Sequence, residues 1–363
     1  MKINISKEKV EKAAQLILPV ISSKTTLPIL SYVLIEAEEK IRFISTDLEV
    51  GIKTEVEGKI IQAGSLTFPG RKLIDIIREL PNEELEIGTE NNSITLTCGK
   101  SFFKVYGLPP ADFPKLPEVS PENVFNISQK TLKEMFSKTM FAISEQETRY
   151  ILNGVYMEGG ENSLKAVATD GRRLAVFTQP TSQNVALPGI VIPSKAVFTL
   201  YKILEDNENP VTIHYQQNQI LFQLDASLLV ARLIEGNFPK YEQLIPVNCS
   251  RVLQVNTQIF IQALRRVLLL ASEHSHAVRF SIKKDGFQIF SITPEMGEAS
   301  ESLEGEFQGE ELEITFNGRF LLDVLLHIDT ENVRFEFSDS LGPGVIMSPE
   351  GKNYLCLIMP MRI

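Results

Sequence analysis

The sequence predicts an α+β fold of three repeated domains, each made of two βαβββ halves. One landmark, a strand that runs directly into a helix, occurs three times at a spacing of roughly 120–125 residues, the size of one ordinary domain. The length of 363 residues fits two or three domains. The predicted strands alternate apolar and polar residues, which is typical of antiparallel sheets with one buried face.

Three landmarks recur in the same order in every repeat, which makes chance similarity a poor explanation. The strand–helix landmark lies at 64–77, 189–200 and 312–325. An opening strand and amphipathic helix lie at 3–18, 124–140 and 253–270. A closing segment lies at 108–117, 234–244 and 354–363. These landmarks predict domains at 1–121, 122–246 and 247–363, with proline-rich linkers at 109–121 and 239–246.

The first domain displays both halves in full. The first half is predicted as a strand, a helix and three strands at 2–5, 7–18, 30–36, 41–46 and 49–57. The second half is predicted in the same order at 64–68, 70–79, 83–89, 93–97 and 101–107. Since the strands are amphipathic, we expect two helices to cover the apolar faces of two antiparallel sheets.

Composition excludes several classes of protein. Apolar residues make up 43% and charged residues 23% of the chain, close to a globular average. No apolar run is long enough to cross a bilayer, and the start lacks a signal-peptide core, so a membrane partner is not expected. Cys98, Cys249 and Cys356 lie far apart, which argues against a disulfide framework or a zinc site and favours a reducing cytoplasm.

No motif requires catalysis or a cofactor. The chain has no phosphate-binding loop, no dinucleotide fingerprint and no nucleophile elbow. His274 and His276 lack neighbouring ligands and are interpreted as a solvated helix end. Asp170 is the one candidate catalytic carboxylate, but Asp170-Gly171 between alternating segments is first of all a hairpin turn. We therefore predict no cofactor, no metal and no enzymatic activity, with a hydrolase using Asp170 as an alternative.

Charge is unevenly distributed along an acidic chain. The net charge of −10 argues against tight nucleic-acid binding unless the charges are segregated. The three domains carry −2, −2 and −6, and eight glutamates with no basic residue occupy 295–313. This stretch is either a solvated face or one side of an interface. Lys100 and Lys104, on the last strand of the first domain, are candidate partners at an exposed pairing edge.

Basic residues mark the predicted helices. They are Arg71, Lys72, Arg78, Lys130, Lys133, Lys138, Lys195, Lys202, Arg265 and Arg266. Solvent exposure alone would explain them. If the repeats point equivalent helices the same way, however, these charges would converge on one positive surface.

Several motifs carry a resemblance over the whole chain. They are Thr26-Leu-Pro-Ile-Leu, Arg149-Tyr-Ile-Leu-Asn-Gly-Val, Ala168-Thr-Asp-Gly-Arg-Arg-Leu-Ala, Glu235-Gly-Asn-Phe-Pro-Lys-Tyr, Thr293-Pro-Glu-Met-Gly-Glu-Ala and Met359-Pro-Met-Arg-Ile. With these motifs in this order, the chain resembles the beta subunits of bacterial DNA polymerase III, the sliding clamps. The resemblance implies a cytoplasmic processivity factor without catalysis. Two three-domain chains would form a head-to-tail homodimer, a six-domain ring around duplex DNA with helices lining the hole.

The resemblance also implies three sets of site residues. The DNA-facing set is Lys24, Arg71, Lys72, Gln146, Tyr150 and Lys195. The dimer interface set is Lys100, Phe103, Lys104, Leu269, Leu270, Glu298, Glu301 and Glu304. Such DNA contacts would go to phosphates without reading bases, so the closed ring rather than affinity would retain the protein.

The third set lines an apolar groove between the second and third domains. It is Leu152, Thr169, Gly171, Arg172, Arg173, Leu174, Pro239, Leu244, Phe320, Leu357, Ile358, Met359, Pro360, Met361 and Arg362. By resemblance, this groove would take short peptides of the DNA polymerase III alpha subunit, the clamp loader and other proteins with a clamp-binding motif. Methionine is adaptable and suits a site that serves several partners. A monomeric peptide-binding scaffold of the same fold, which does not encircle DNA, is the other alternative.

Overall fold

A computed structural model describes residues 1–22, 25–90, 93–117, 123–182, 184–284, 286–294, 296–349 and 353–362. The chain forms two compact units. Unit 1 is 1–133 with 192–235, and unit 2 is 134–191 with 236–363. The predicted middle domain, 122–246, contributes to both units, so the three domain boundaries remain a prediction. No helix in the described ranges has both the length and the apolar character needed to cross a membrane.

Helices and strands alternate along the described residues. The α-helices are α1 (Lys7–Ile17), α2 (Gly70–Glu79), α3 (Gln129–Ser137), α4 (Ser194–Ile203), α5 (Thr257–Leu268) and α6 (Gly318–Leu325). The first strands are β1 (Lys2–Ser6), β2 (Tyr32–Ala37), β3 (Ile41–Thr46), β4 (Val50–Val56), β5 (Lys59–Gln62), β6 (Gly64–Pro69), β7 (Glu84–Glu90), β8 (Ser93–Cys98) and β9 (Ser101–Tyr106).

The remaining strands repeat this order. They are β10 (Val124–Ser128), β11 (Gly154–Gly159), β12 (Ser163–Thr169), β13 (Arg173–Pro180), β14 (Ile190–Pro193), β15 (Pro210–Gln216), β16 (Gln219–Leu224), β17 (Ser227–Arg232), β18 (Arg251–Asn256), β19 (Ala277–Lys283), β20 (Gly286–Thr293), β21 (Gly297–Leu303), β22 (Glu306–Gln308), β23 (Leu312–Asn317), β24 (Asn332–Phe337), β25 (Gly344–Met347) and β26 (Tyr354–Ile358). The two predicted βαβββ halves of the first domain are confirmed, with the additional strand β5 between them.

Two antiparallel sheets form unit 1. Their described strands run in the orders β5-β1-β7-β8-β9 and β10-β15-β16-β17-β4-β3-β2-β6. Each helix turns one apolar face toward the core, so that Val10 and Ile17 of α1, and Leu73 and Ile77 of α2, are fully buried. The second sheet joins strands from distant parts of the sequence, because β4 pairs with β17.

Two further antiparallel sheets form unit 2. Their described strands run in the orders β14-β11-β12-β13-β26-β25-β24-β18-β22 and β21-β20-β19-β23. Asn256 caps α5 by accepting hydrogen bonds from the backbone N–H groups of Gln258 and Ile259. Phe260 of α5 packs edge-on against Phe280 and Phe287, with ring centroids 6.0 and 5.6 Å apart. Buried aromatic rings thus supply much of the core of unit 2.

Two strand pairings join residues far apart in sequence, and we call them the intrachain seams. The first seam pairs β4 with β17, and the Thr54 and Ser227 hydroxyls lie 2.9 Å apart across it. The second seam pairs β13 with β26, so that Leu174 lies opposite Leu357. Each seam turns two smaller sheets into one continuous sheet.

The first predicted linker covers the first seam on the sheet face that points away from α1. Leu116 lies over Gly51 of β4, where a β-carbon would come within 2.3 Å of the leucine Cδ2 atom. Phe113 packs with Leu34 and Ile44 on the same face. The linker therefore replaces water over apolar side chains beside the seam.

The second predicted linker covers the second seam in the same way. Tyr241, within this linker, and Phe238, directly before it, pack on the cluster that contains Leu174 and Leu357, and Tyr241 is only 4% exposed. Phe238 also stacks on Tyr156, with ring centroids 4.8 Å apart. Both linkers thus share a function: each seals the outward face of one seam.

Replacing Phe260 with alanine should destabilise unit 2. Phe260 is fully buried, so Phe260→Ala is expected to lower the free energy of unfolding by about 3–5 kcal/mol. Its neighbour Ile259 is 55% exposed, and Ile259→Ala should change it by less than about 0.5 kcal/mol. Urea denaturation followed by circular dichroism at one protein concentration measures both. Equal losses for the two variants would contradict this account of the core.

Candidate functional site

The loop between β12 and β13 forms one end of the candidate groove. Thr169 Oγ1 donates to the backbone oxygen of Arg173 at 2.6 Å and accepts from the Gly171 N–H at 3.0 Å. Asp170 Oδ1 accepts from the backbone N–H groups of Arg172 and Arg173 at 2.8 and 3.0 Å. Gly171 has a φ of +83°, a conformation that glycine adopts without strain. The predicted hairpin turn at Asp170-Gly171 is confirmed.

Arg173 is held on every side. Its Nε donates to Asp170 Oδ2 at 3.0 Å, and a terminal nitrogen donates to Asp323. Its guanidinium lies 4.4 Å from the ring centroid of Phe320 and 5.5 Å from that of Phe141. Asp170 therefore orders the loop and neutralises Arg173, and this geometry supports a structural role instead of hydrolysis. Of the two adjacent arginines, Arg172 is the one that lies exposed.

Backbone hydrogen bonds fix the C-terminal wall of the groove. The Met359 N–H donates to the Arg172 oxygen at 2.9 Å, and the Met361 N–H donates to the Thr315 oxygen of β23 at 2.8 Å. Leu152, Leu174, Leu357 and Ile358, which belong to the same predicted set, are buried. Among the predicted lining residues, Leu244 (51%) and Met359 (42%) are the large apolar side chains with the greatest exposure. Unit 2 therefore contains the whole predicted set, in which Leu244 and Met359 are exposed apolar side chains.

A cavity of about 410 Å³ extends this wall. It is lined by Met359–Arg362 and by Arg279, Glu313, Ile314, Thr315, Ser340 and Leu341. Sequence reasoning missed the residues of this second group, because single side chains on β19, β23 and the β24–β25 connection carry no motif. A larger cavity of about 700 Å³ lies in unit 1, and none of its lining residues is a predicted site residue.

The candidate DNA-facing residues have different environments. Arg71 and Lys72, in the first turn of α2, are exposed, as are Gln146 and Tyr150 in unit 2. Lys195 in α4 is engaged instead: its Nζ donates to the Val20 oxygen at 3.1 Å and pairs with Asp47. Lys24 lies outside the described residues. Arg71 and Lys72 therefore remain the accessible cations of this set.

Cations at helix starts oppose the helix dipole. The first turns of α2, α4 and α6 carry Arg71, Lys195 and Arg319 and no acidic residue. Each such charge costs a helix about 0.3–1 kcal/mol relative to an acidic one, so stability does not account for them. Such cations are suited to contacts with phosphate oxygens.

The candidate interface residues lie on or beside the outer strands β9 and β21, or follow α5. Lys104 is exposed and Phe103 half-buried on β9, and Lys100 lies in the turn before it. On β21, Glu298 is exposed, and Glu304 follows the strand. Leu269, after α5, is 75% exposed, and Thr293 Oγ1 donates to the Leu270 oxygen.

Glu301 is the exception on β21, because it is paired within the chain. Arg266 Nε lies 2.6 Å from Glu301 Oε1, and this hydrogen bond holds the pKa of the Glu301 carboxyl below its ordinary value. The family resemblance assigns Glu301 to the interface together with Glu298 and Glu304. The ion pair leaves Glu298 and Glu304 as the uncommitted carboxylates of that group.

Comparisons with known proteins match all three repeats. Profiles of the DNA polymerase III beta subunit match its N-terminal domain at 1–117, its central domain at 126–240 and its C-terminal domain at 242–362. The chain belongs to the DNA polymerase III beta subunit family. This family consists of processivity factors rather than catalysts. The beta sliding clamp of Escherichia coli K12 is 32% identical over 368 residues, covering all of both chains.

Solved structures agree with this assignment. The sliding clamp of Bacillus subtilis superposes with a TM-score of 0.96 at 32% identity, covering 100% of this chain and 99% of that one. The clamp of Bartonella birtlesii, solved bound to griselimycin, gives a TM-score of 0.96 at 33% identity over 100% of both chains. The expected α+β clamp fold is therefore confirmed.

Removing the Asp170 side chain should loosen the groove loop. Asp170→Asn keeps an oxygen for the two backbone N–H groups but loses the charge beside Arg173, so it should lower the unfolding free energy by about 1 kcal/mol. Asp170→Ala also loses the backbone acceptor and should cost about 1–2 kcal/mol more. Urea denaturation measures both, with Asp206→Asn at an exposed position as the control. Asp170→Ala at wild-type stability would rule out this role.

Proposed function

We propose that two copies of this chain associate head to tail into a ring that encircles duplex DNA and tethers replication proteins. One observation carries the proposal. The chain pairs β4 with β17 and β13 with β26 internally. The strands equivalent to these in the other halves, β9 and β21, lie at the outer edges of their described sheets. Unpaired edges of this kind favour pairing with another chain.

The position of β21 matches that of β4. In unit 1, Ser45 lies opposite Ile52 of β4 and donates its hydroxyl to the Ile17 oxygen at 3.1 Å. In unit 2, Ser291 lies opposite Ala299 of β21 and donates to the Val267 oxygen at 2.9 Å. The same hydroxyl-to-helix contact therefore identifies Ala299 as the counterpart of Ile52.

The position of β9 matches that of β17. Leu229 of β17 lies opposite the buried Phe222, and Phe103 of β9 lies opposite the buried Leu96. Because Ile52 pairs with Leu229 in the first seam, Ala299 would pair with Phe103 of a second copy. The next pair in this register joins Glu298 to Lys104. Each chain offers one edge of each kind, so two copies close without leaving either edge free.

Charge reversal tests this register. Lys104→Glu places two carboxylates opposite each other, at a cost of about 1 kcal/mol at each of two interfaces, hence about a 30-fold higher dimer Kd. Glu298→Lys should do the same, and the double exchange should restore dimerisation. Sedimentation across a concentration series measures all three. Lys284→Glu changes the net charge equally at an exposed turn and should leave the dimer unchanged.

Topology tests the ring itself. Wild-type protein placed on nicked circular plasmid by its clamp loader should stay bound during gel filtration and dissociate once the plasmid is cut. Lys104→Glu should shorten retention on the circle, and the double exchange should recover it. A protein that remains monomeric throughout would support the alternative of a peptide-binding scaffold that does not encircle DNA.

DNA would be held by charge without sequence readout. The exposed cations Arg71, Lys72 and Arg319 lie in the first turns of α2 and α6 and can contact phosphates. Such contacts weaken steeply with salt, and weak contacts allow sliding. The net charge of −10 opposes binding elsewhere on the surface.

The groove of unit 2 would bind short peptides from the DNA polymerase III alpha subunit, the clamp loader and other partners. Its buried leucines (Leu152, Leu174 and Leu357) and its exposed apolar side chains, Leu244 and Met359, suit apolar side chains of an extended peptide. The exposed Arg172 at the rim adds a positive charge near the anchors. The neighbouring Arg173 adds no free charge, because its guanidinium is paired with Asp170 and Asp323.

Leu244→Ser tests the groove. The substitution removes an apolar anchor and should lower the affinity for a clamp-binding peptide of the polymerase alpha subunit at least tenfold, about 1.4 kcal/mol. Val247→Ser is the matched control, since Val247 is 95% exposed three residues away. Fluorescence anisotropy with the labelled peptide measures both. Equal affinities for wild type and Leu244→Ser would refute the assigned groove.

We also propose a cytoplasmic location. Cys98, Cys249 and Cys356 are all free, and burial raises the pKa of the Cys356 thiol to about 12. Free thiols of this kind are typical of a reducing compartment.

A further inference from the structure

The two intrachain seams are each covered by a linker, whereas the described faces that would meet at the intersubunit seam of the proposed ring carry exposed apolar side chains. At the second seam, Phe238 and Tyr241 seal the sheet face that carries Leu174 and Leu357. At the first, Phe113 and Leu116 cover the equivalent face. Both linkers use the same short pattern, Phe-Pro-Lys followed by leucine or tyrosine, at 113–116 and 238–241.

The edge strand of unit 1 presents aromatic side chains on the corresponding face. Phe103 and Val105 lie opposite the buried Leu96 and Ile94, so they point into the core. Alternation turns Phe102 and Tyr106 to the other face, where they are 60% and 77% exposed. Solvation does not account for two exposed rings on one strand.

The edge sheet of unit 2 presents apolar side chains on its matching face. Ile289 points into the core, so Phe290 and Ile292 point outward. Ile292 is 62% exposed, and the Arg279 guanidinium lies 5.5 Å from the Phe290 ring centroid. Met296, before β21, is 53% exposed.

In the register derived above, these two faces meet across a small residue. Phe290 lies opposite Ser300 of β21, and Ser300 would lie opposite Phe102 of the second copy. Two strand spacings separate the two rings by roughly 10 Å, with only a serine between them. An aromatic ring needs contact on both faces at ~3.5–4 Å, so this slot has the width to accept one.

We propose that this intersubunit seam is a second docking surface. This inference rests on the proposed ring. Its occupant is an extended partner segment of the linker type: a phenylalanine before proline, and an aromatic or aliphatic residue three positions after the phenylalanine. The phenylalanine enters the slot between Phe290 and Phe102, and the second side chain covers Tyr106 and Met296. This surface is separate from the groove that contains Leu244.

A peptide with the sequence of residues 236–246 is the probe, because it carries this pattern. Labelled at its N-terminus, it should bind the full-length dimer in an anisotropy titration. The same peptide with serine in place of its phenylalanine and tyrosine should bind at least tenfold more weakly. Absence of binding by the unmodified peptide overturns the proposal.

Two variants locate the binding. Phe102→Ser removes one wall of the slot and Ser300→Leu fills it, so each should weaken peptide binding at least tenfold. Leu244→Ser, in the groove, should leave it unchanged. Peptide affinity that survives both seam variants, or that falls only with Leu244→Ser, overturns the proposal.

Sedimentation of every sample separates this proposal from the ring itself. A wild-type protein that stays monomeric would rule out the ring and, with it, the intersubunit seam. A normal dimer that fails to bind the peptide removes only the docking surface. A four-chain species that disappears in Phe102→Ser would identify a second ring as the occupant, which also overturns the partner-peptide assignment.

Discussion

Strand-edge hydrogen bonding is the constraint on which the rest of this molecule depends. A sheet edge presents a row of N–H and C=O groups that must find partners, and the chain meets this need twice by pairing β4 with β17 and β13 with β26. Those pairings convert short sheets into continuous ones and bring together loops that are distant in sequence. Among the sheet edges left over, β9 and β21 are equivalent to the paired ones. Self-association therefore follows from the same repeat that builds the fold.

The net charge of the molecule is explained if charged side chains only attract DNA while the closed ring retains the protein on it. A protein that had to hold DNA by affinity would need a strongly basic surface, whereas this chain carries a net charge of −10. Cations at the starts of helices provide local attraction to phosphates at a small cost in helix stability. A closed ring makes stronger contacts unnecessary, and strong contacts would oppose sliding.

The groove depends on rigidity beneath an adaptable surface. Asp170 and Asp323 hold Arg173 between two aromatic rings, and the Met359 backbone is tied to the same loop. Two further side chains of the predicted groove, Leu244 and Met359, are apolar and exposed. A fixed backbone limits the entropy lost on binding, while adaptable anchors accommodate different peptides.

The sequence by itself determined the repeat, the order of helices and strands and the turn at Asp170, because periodicity and turn chemistry are local properties. It missed β5, whose residues lack a period-two pattern and are largely exposed. It also treated Lys195 as a free cation, whereas Asp47, far away in the sequence, pairs with it. Only the tertiary structure decided which edges are paired and which charges are neutralised. Several of these outcomes depend on side chains and strands separated by more than a hundred residues, for instance Thr54 and Ser227 or Lys195 and Asp47, and no local pattern records such partners.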